Sequence, residues 1–224
     1  MTDPLPRAVS TPARLILGGL APIPFLGVVI LQAALQTGYS HVAHPISALA
    51  AFPLGWIQNI NFYFLVTFTI AYAIGVHSAI SPSRRGVIGP ALFGLGGVGL
   101  ILCGVFPWTQ ENGILVEPAG HAVAAITLFL GMSLGHMVIS GRMRRDPAWT
   151  SLASYVRASG ILMLLLFFAV AYSLEPGSPL APSTGLLQRV LVVVWTACTS
   201  RVALRGSRMR VNATVRPDPL EAQR

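Results

Sequence analysis

The chain has 224 residues, of which 54% are hydrophobic and only 10% charged, a balance that excludes an ordinary soluble domain and places the chain in a bilayer. Fifteen arginines and no lysine give a net charge of +8 and a pI near 10.7. The arginines fall in short segments between apolar runs, so the charge reads as membrane orientation and excludes a nucleic-acid partner.

A helix rises 1.5 Å per residue, so roughly 20 apolar residues cross the hydrocarbon core. Residues 1–14 read as a cytoplasmic amino-terminal segment with Arg7 and Arg14. The first span, Leu15 to Leu35, has no charge, and Pro22 and Pro24 predict a kink in it. Its basic flank resembles a secretory signal, but about 21 residues is too long for one and five spans follow, so it is read as uncleaved.

The next stretch, GYSHVAHPISALAAFPLGWIQNIN (38–61), is too apolar for a solvated loop and too interrupted by proline to span. Pro45 suits a first helical position with His44 near the cap, and Pro53 ends the helix. A short interfacial or re-entrant helix is predicted there, anchored by Trp56.

The second span is Ile60 to Ile80 and the third Val87 to Phe106. Within the third, GLGGVG (94–99) matches the dinucleotide fingerprint but lacks the strand and helix start which that chemistry needs. Its glycines suit close helix packing instead and predict that the third span is central to the bundle. The remaining spans are Ala119 to Ser140, Ala158 to Leu174 and Gly185 to Leu204. Unbroken apolar runs of this length exclude the alternation of a barrel. The fold class is therefore all-α: one polytopic six-helix domain over residues 15–205, both termini cytoplasmic. Residues 206–224 form a basic cytoplasmic tail, expected on anionic lipid and disordered in part toward RPDPLEAQR.

Fourteen of the fifteen arginines then lie on one side, and the three opposite segments, about 36–59, 107–118 and 175–184, hold none. Glu111, Glu117 and Glu175 all fall in those segments, as the positive-inside rule expects of the outer face. The exception is Arg189, about five residues inside the outer end of the sixth span, where a guanidinium needs a partner or must snorkel. Cys103 and Cys198 read as separate buried thiols.

The outer level also holds His41, His44, His121, Asn59, Asn61, Tyr63 and Gln188. Ionisable groups at membrane depth are functional candidates when complementary charges converge. The alternative is a set of singly solvated interfacial residues. His77 and His136 lie about one turn from the inner ends of spans two and four.

HPISALAAFP after span one, GPALFGLGGVGLILCGVFP leading into the second outer segment, His121 opening span four and GLLQRVLVVVW in span six resemble the bacterial six-helix membrane family catalogued as domain of unknown function 998. The resemblance covers about residues 15–205. It implies a six-span bundle of the bacterial cytoplasmic membrane, without an assigned activity. Ser47, Pro107, His121 and Arg189 match the family pattern. That pattern often has an aspartate after the FP; here Trp108 and Thr109 follow Pro107, and if the aspartate pairs with the sixth-span arginine in relatives, Glu111 or Glu117 takes its place.

Four functions fit these residues. The first is a carrier or binding protein whose outer pocket, built from Arg189, His121, His44, Ser47, Glu111, Glu117 and Asn61, takes an amphiphilic, lipid-like ligand with Arg189 facing an anionic headgroup. The second is an enzyme on a lipid or isoprenoid substrate, with His121 as general base and Arg189 stabilising charge, or with His41, His44 and His121 as zinc ligands. No tight histidine pair supports the metal, so no metal and no cofactor is assigned. Third is a haem electron carrier using His77 and His136; fourth, an assembly partner joined through the glycines of span three. The spans supply neither a ring of charge for a channel nor a clear inverted repeat for a transporter. Membrane lipids are the expected partners, and the oligomeric state is open.

Overall fold

The computed structural model describes residues 10–80 and 84–215. The cytoplasmic assignment of residues 1–9, with Arg7, and the disorder expected of residues 216–224 lie outside the described residues.

Among the described residues six helices are long and apolar enough to cross a membrane. The first span is built from α1 (Ser10–Leu20) and α2 (Pro22–Ala34). Pro22 and Pro24 have no N–H, so the carbonyls of Gly18 and Leu20 lose their helical donors and the axis bends. The Ala21 N–H still reaches Leu17 and the Phe25 N–H reaches Ala21, at 3.1 and 3.2 Å, so the chain bends without leaving the helical path. The other spans are α3 (Gly55–Ala79), α4 (Ile88–Val105), α5 (Ala119–Met143), α6 (Thr150–Ser173) and α7 (Thr184–Val215).

Several helices outrun their apolar segments. α3 begins five residues before Ile60, α6 eight before Ala158, and α7 continues from Leu204 to Val215, so the first part of the expected tail extends the sixth span. Apolarity reports how much helix sits in hydrocarbon, whereas backbone hydrogen bonding continues through the polar turns beyond it.

The helices form a ring in chain order, α1, α3, α4, α5, α6 and α7, closed by contact of α7 with α1. Leu65, Tyr72, Phe93, Met132, Leu191 and Trp195 fill its centre. This corrects the expectation for the third span: α4 is not central but sits in the ring between α3 and α5. Its glycines do serve close approach, since a Cβ on Gly99 would lie 2.4 Å from the backbone nitrogen of Leu128 on α5. At the arginine-rich end, Trp149 Nε1 donates to the Ala79 carbonyl at 3.1 Å and Arg142 donates to the Ile80 carbonyl, which satisfies acceptors left open at the end of α3.

Beyond the proline bend α2 packs more sparsely on α3 and α7 than α1 does. A short 3₁₀ helix, Ile46–Ala51, fills that space, with Ile46, Ser47, Ala48 and Leu49 buried. The predicted short helix is therefore present, and it enters the bundle. Gln32 Nε2 donates to the Leu49 carbonyl of this helix at 3.4 Å and to the Leu54 carbonyl before α3 at 2.8 Å, and Asn61 Nδ2 ties α3 to the Phe25 carbonyl at 3.2 Å. Trp56 remains 61% exposed in the first turn of α3, as an interfacial anchor requires.

The segment after α4 is a β-hairpin, β1 (Thr109–Glu111) with β2 (Ile114–Val116), in antiparallel register Thr109 to Val116 and Glu111 to Ile114. Asn112 and Gly113 turn it, at φ of 51° and 81°. Both left-handed positions suit a two-residue type I′ turn, and Asn-Gly is its strongest sequence signal.

Candidate functional site

The first turns of α7 hold the loop that leads into the 3₁₀ helix. The Leu186 N–H donates to the Val42 carbonyl at 2.9 Å, and Gln188 Oε1 accepts the Ile46 N–H. Arg189 Nη1 donates to the carbonyls of His44 and Gly185, at 3.1 and 2.9 Å, while Nη2 donates to the Tyr39 hydroxyl at 2.7 Å. The Tyr39 hydroxyl in turn donates to Pro45 O at 3.0 Å. A Cβ on Gly185 would lie 2.3 Å from the His44 carbonyl oxygen, so only glycine lets the loop lie this close.

The charge expected to face a ligand is thus engaged with backbone. Neither Glu111 nor Glu117 is among the partners of Arg189, and Glu111 is exposed on the hairpin. His44 Nδ1 accepts the Ser40 N–H at 3.0 Å, which requires that nitrogen to be unprotonated. Burial, and then the Arg189 charge, lower the His44 pKa below the ordinary 6.5, in keeping with a neutral ring. His41 and His44 both pack against Tyr39, with ring centroids 5.7 and 5.6 Å away.

His121 stands elsewhere, in the first turn of α5, and is 2% exposed. Its Nδ1 donates at 2.8 Å to the Phe106 carbonyl, one of the acceptors left open where α4 ends. A carbonyl only accepts, so Nδ1 carries the proton and Nε2 of the neutral ring is an acceptor. Trp108 stands edge to face with His121, ring centroids 6.1 Å apart, and its buried Nε1 has no hydrogen-bond partner.

Ser47, Trp108, Glu117, His121, Glu175 and Gln188 line one end of a cavity of about 310 Å³. Its other end is apolar, walled by Ile126 and Phe129 of α5 and Phe167, Val170 and Ala171 of α6. Of its lining, Ile126 on α5 and Leu174 at the end of α6 are 46% and 39% exposed, so the cavity wall between these helices is continued by exposed apolar side chains. Burial raises the Glu117 carboxyl above the ordinary 4.5. Ser47 and His121 also border a pocket of about 30 Å³ that leads toward the ring centre, room for about one water.

Of the residues expected to form a site, the fold brings together Ser47, Glu117 and His121. It turns Arg189 to the backbone of the 39–45 loop, places His44 in the wall of a neighbouring cavity of about 630 Å³ with Pro45, Trp108 and Glu175, and sets Asn61 on the seam of α2 and α3. Among the described residues no three of His, Cys, Asp or Glu meet in a group that could hold a metal ion, and His41, His44 and His121 are not brought together. Trp108, Glu175 and Gln188 complete the cavity wall. Their signal was depth: each falls at the outer level, but nothing local in the sequence sets the direction of a side chain.

His136 is wholly buried between Phe93 and Tyr72, ring centroids 4.9 and 6.3 Å away, with Nδ1 donating to Met132 O. Neither it nor His77 borders the outer cavity. Cys103 and Cys198 are buried free thiols.

The family described as protein of unknown function (DUF998) has a model that matches residues 20–205. The chain belongs to the DUF998 family. No curated protein and no solved structure matches it. In this DUF998 chain, two of the segments that carried the resemblance meet, GLLQR of α7 binding the backbone at HPI, while Pro107 and His121 flank the hairpin.

Proposed function

We propose that this DUF998 chain binds or carries an amphiphile in the outer cavity, with the polar head at Glu117, His121 and Glu175 and the chain between α5 and α6. The observation that supports the reading most is one cavity lined both by acceptors, at Glu117, His121 and Glu175, and by apolar side chains of α5 and α6. The ligand class follows from chemistry. Two carboxyl groups and an acceptor imidazole nitrogen repel an anionic head, while an amine or hydroxyl donates to them and a hydroxyl can also accept from Trp108 Nε1. This replaces the anionic head expected from Arg189, whose guanidinium binds the 39–45 loop.

Thermal melting in lipid nanodiscs with dodecylamine, dodecan-1-ol or dodecanoate at neutral pH tests the proposal. The amine and alcohol stabilise the protein, dodecanoate does not, and Glu117→Gln weakens the effect of the amine. Equal stabilisation by dodecanoate, or an unaltered response of Glu117→Gln, refutes it.

A second reading, membrane-embedded catalysis, is favoured by the His121 tautomer: Nδ1 fixed on a carbonyl leaves Nε2 free to act as a general base. His121→Gln separates the two. A binding protein loses part of its affinity for the alcohol, whereas an enzyme retains ligand and loses turnover of it, read by mass spectrometry of the extracted lipid.

A further inference from the structure

A second polar cavity lies at the opposite end of the ring from the outer site. Arg201, Arg205 and Arg208 follow one another on α7 at spacings of four and three, which places them on one face of the helix. With Ser151 and Ser200 they line a groove of about 590 Å³ between α6 and α7.

Among the described residues, no carboxylate is a partner of these three guanidinium groups. Arg201 is held over the Tyr155 ring, 5.0 Å from its centroid. Arg205 donates through Nε and Nη2 to the Ala148 carbonyl, at 3.1 and 2.9 Å. Arg208 is exposed and has no hydrogen-bond partner among the described residues. No described residue lining the groove neutralises their charge, and the N-terminus of α6 beside Ser151 adds positive potential to the same wall. Toward mid-membrane the wall of the groove turns apolar at Ala197, and Val193, one turn further along the same face of α7, is 53% exposed, so an apolar stripe continues from the groove; Leu204, 50% exposed, lies among the arginines.

We propose that this groove binds the phosphate of an anionic phospholipid, with the acyl chains lying along the α7 stripe. Guanidinium forks match phosphate oxygens, and basic pockets between spanning helices select such headgroups. Free phosphate shares the headgroup chemistry but makes no use of the stripe, which is why the lipid is the ligand assigned. The site is separate from the outer cavity and does not depend on what that cavity takes.

The test is native mass spectrometry of the full chain in maltoside micelles doped with phosphatidylglycerol or phosphatidylcholine. Wild type retains phosphatidylglycerol in preference; the double variant Arg201→Gln, Arg208→Gln retains it about tenfold less, and Arg144→Gln, Arg145→Gln, with the same loss of charge at exposed positions outside the groove, stays within about twofold of wild type. Arg208→Gln alone, at an exposed residue without a protein partner, shows part of the same loss should the double variant fold poorly. An equal loss in both double variants means diffuse surface charge and overturns the site. So does melting of wild type in which inorganic phosphate protects as well as phosphatidylglycerol, since a free anion is then sufficient.

Discussion

Arg189 and Tyr39, 150 residues apart in sequence, make one unit: Nη2 donates to the hydroxyl at 2.7 Å and the guanidinium carbon lies 5.6 Å from the centroid of the same ring. Burial raises the Tyr39 pKa, so the hydroxyl keeps its proton and donates onward to Pro45 while accepting from Arg189. The membrane-depth arginine is thereby satisfied within the protein. Arg189→Gln should cost about 2–4 kcal/mol of stability, because carbonyls and a hydroxyl lose a charged donor. Tyr39→Phe, which keeps the ring, should cost about 1–2 kcal/mol. Thermal melting in detergent orders the two, and an Arg189→Gln protein as stable as wild type would remove the clamp.

Gly185 provides a steric test of the same contact. Alanine there meets the His44 carbonyl and should destabilise by about 1–3 kcal/mol. Gly94→Ala, where nothing lies within 4 Å, should be neutral or slightly stabilising, since alanine is the better helix former. Melting midpoints that fail to separate the two variants would contradict the close approach.

The Glu117 carboxyl has its pKa raised by burial. The folded state then binds a proton more readily than the unfolded chain, so its contribution to stability is fully present below about 4.5 and declines as pH rises through the raised value. His44 acts in the opposite sense: its lowered pKa favours the neutral form, and that contribution is lost as pH falls below about 6.5. The wild-type profile is the sum of the two. The difference between wild type and Glu117→Gln isolates the first, and should show wild type losing stability relative to the variant as pH rises from the ordinary carboxyl range.

The positive-inside rule predicts that the hairpin end faces outward. A cysteine placed at Asn112, on the hairpin turn, should react with a membrane-impermeant maleimide added to intact cells, whereas one at Ser207 on α7 should react only after permeabilisation. The reverse labelling pattern would overturn the assignment of the outer face.

Six crossings, the proline bend and the short helix after Pro45 are legible in the chain because each depends on near-neighbour chemistry. Apolar length sets a span, a missing N–H sets a bend, and proline sets a helix start. The hairpin is not among the features read from the chain: its one local signal is Asn112-Gly113, and its strands are three residues each, too short to show alternation. Depth did collect the polar residues into one layer.

Which members of that layer meet was decided only by tertiary packing. The bend in span one leaves space that the 3₁₀ helix enters, and that insertion places Ser47 on the side of His121 and Glu117 while turning His44 toward Arg189. Sequence sets how deep a side chain lies, through the cost of moving polar groups into hydrocarbon. Its azimuth around the ring depends on how helices rotate to bury their small and large residues against one another, a property of neighbours that no single segment contains.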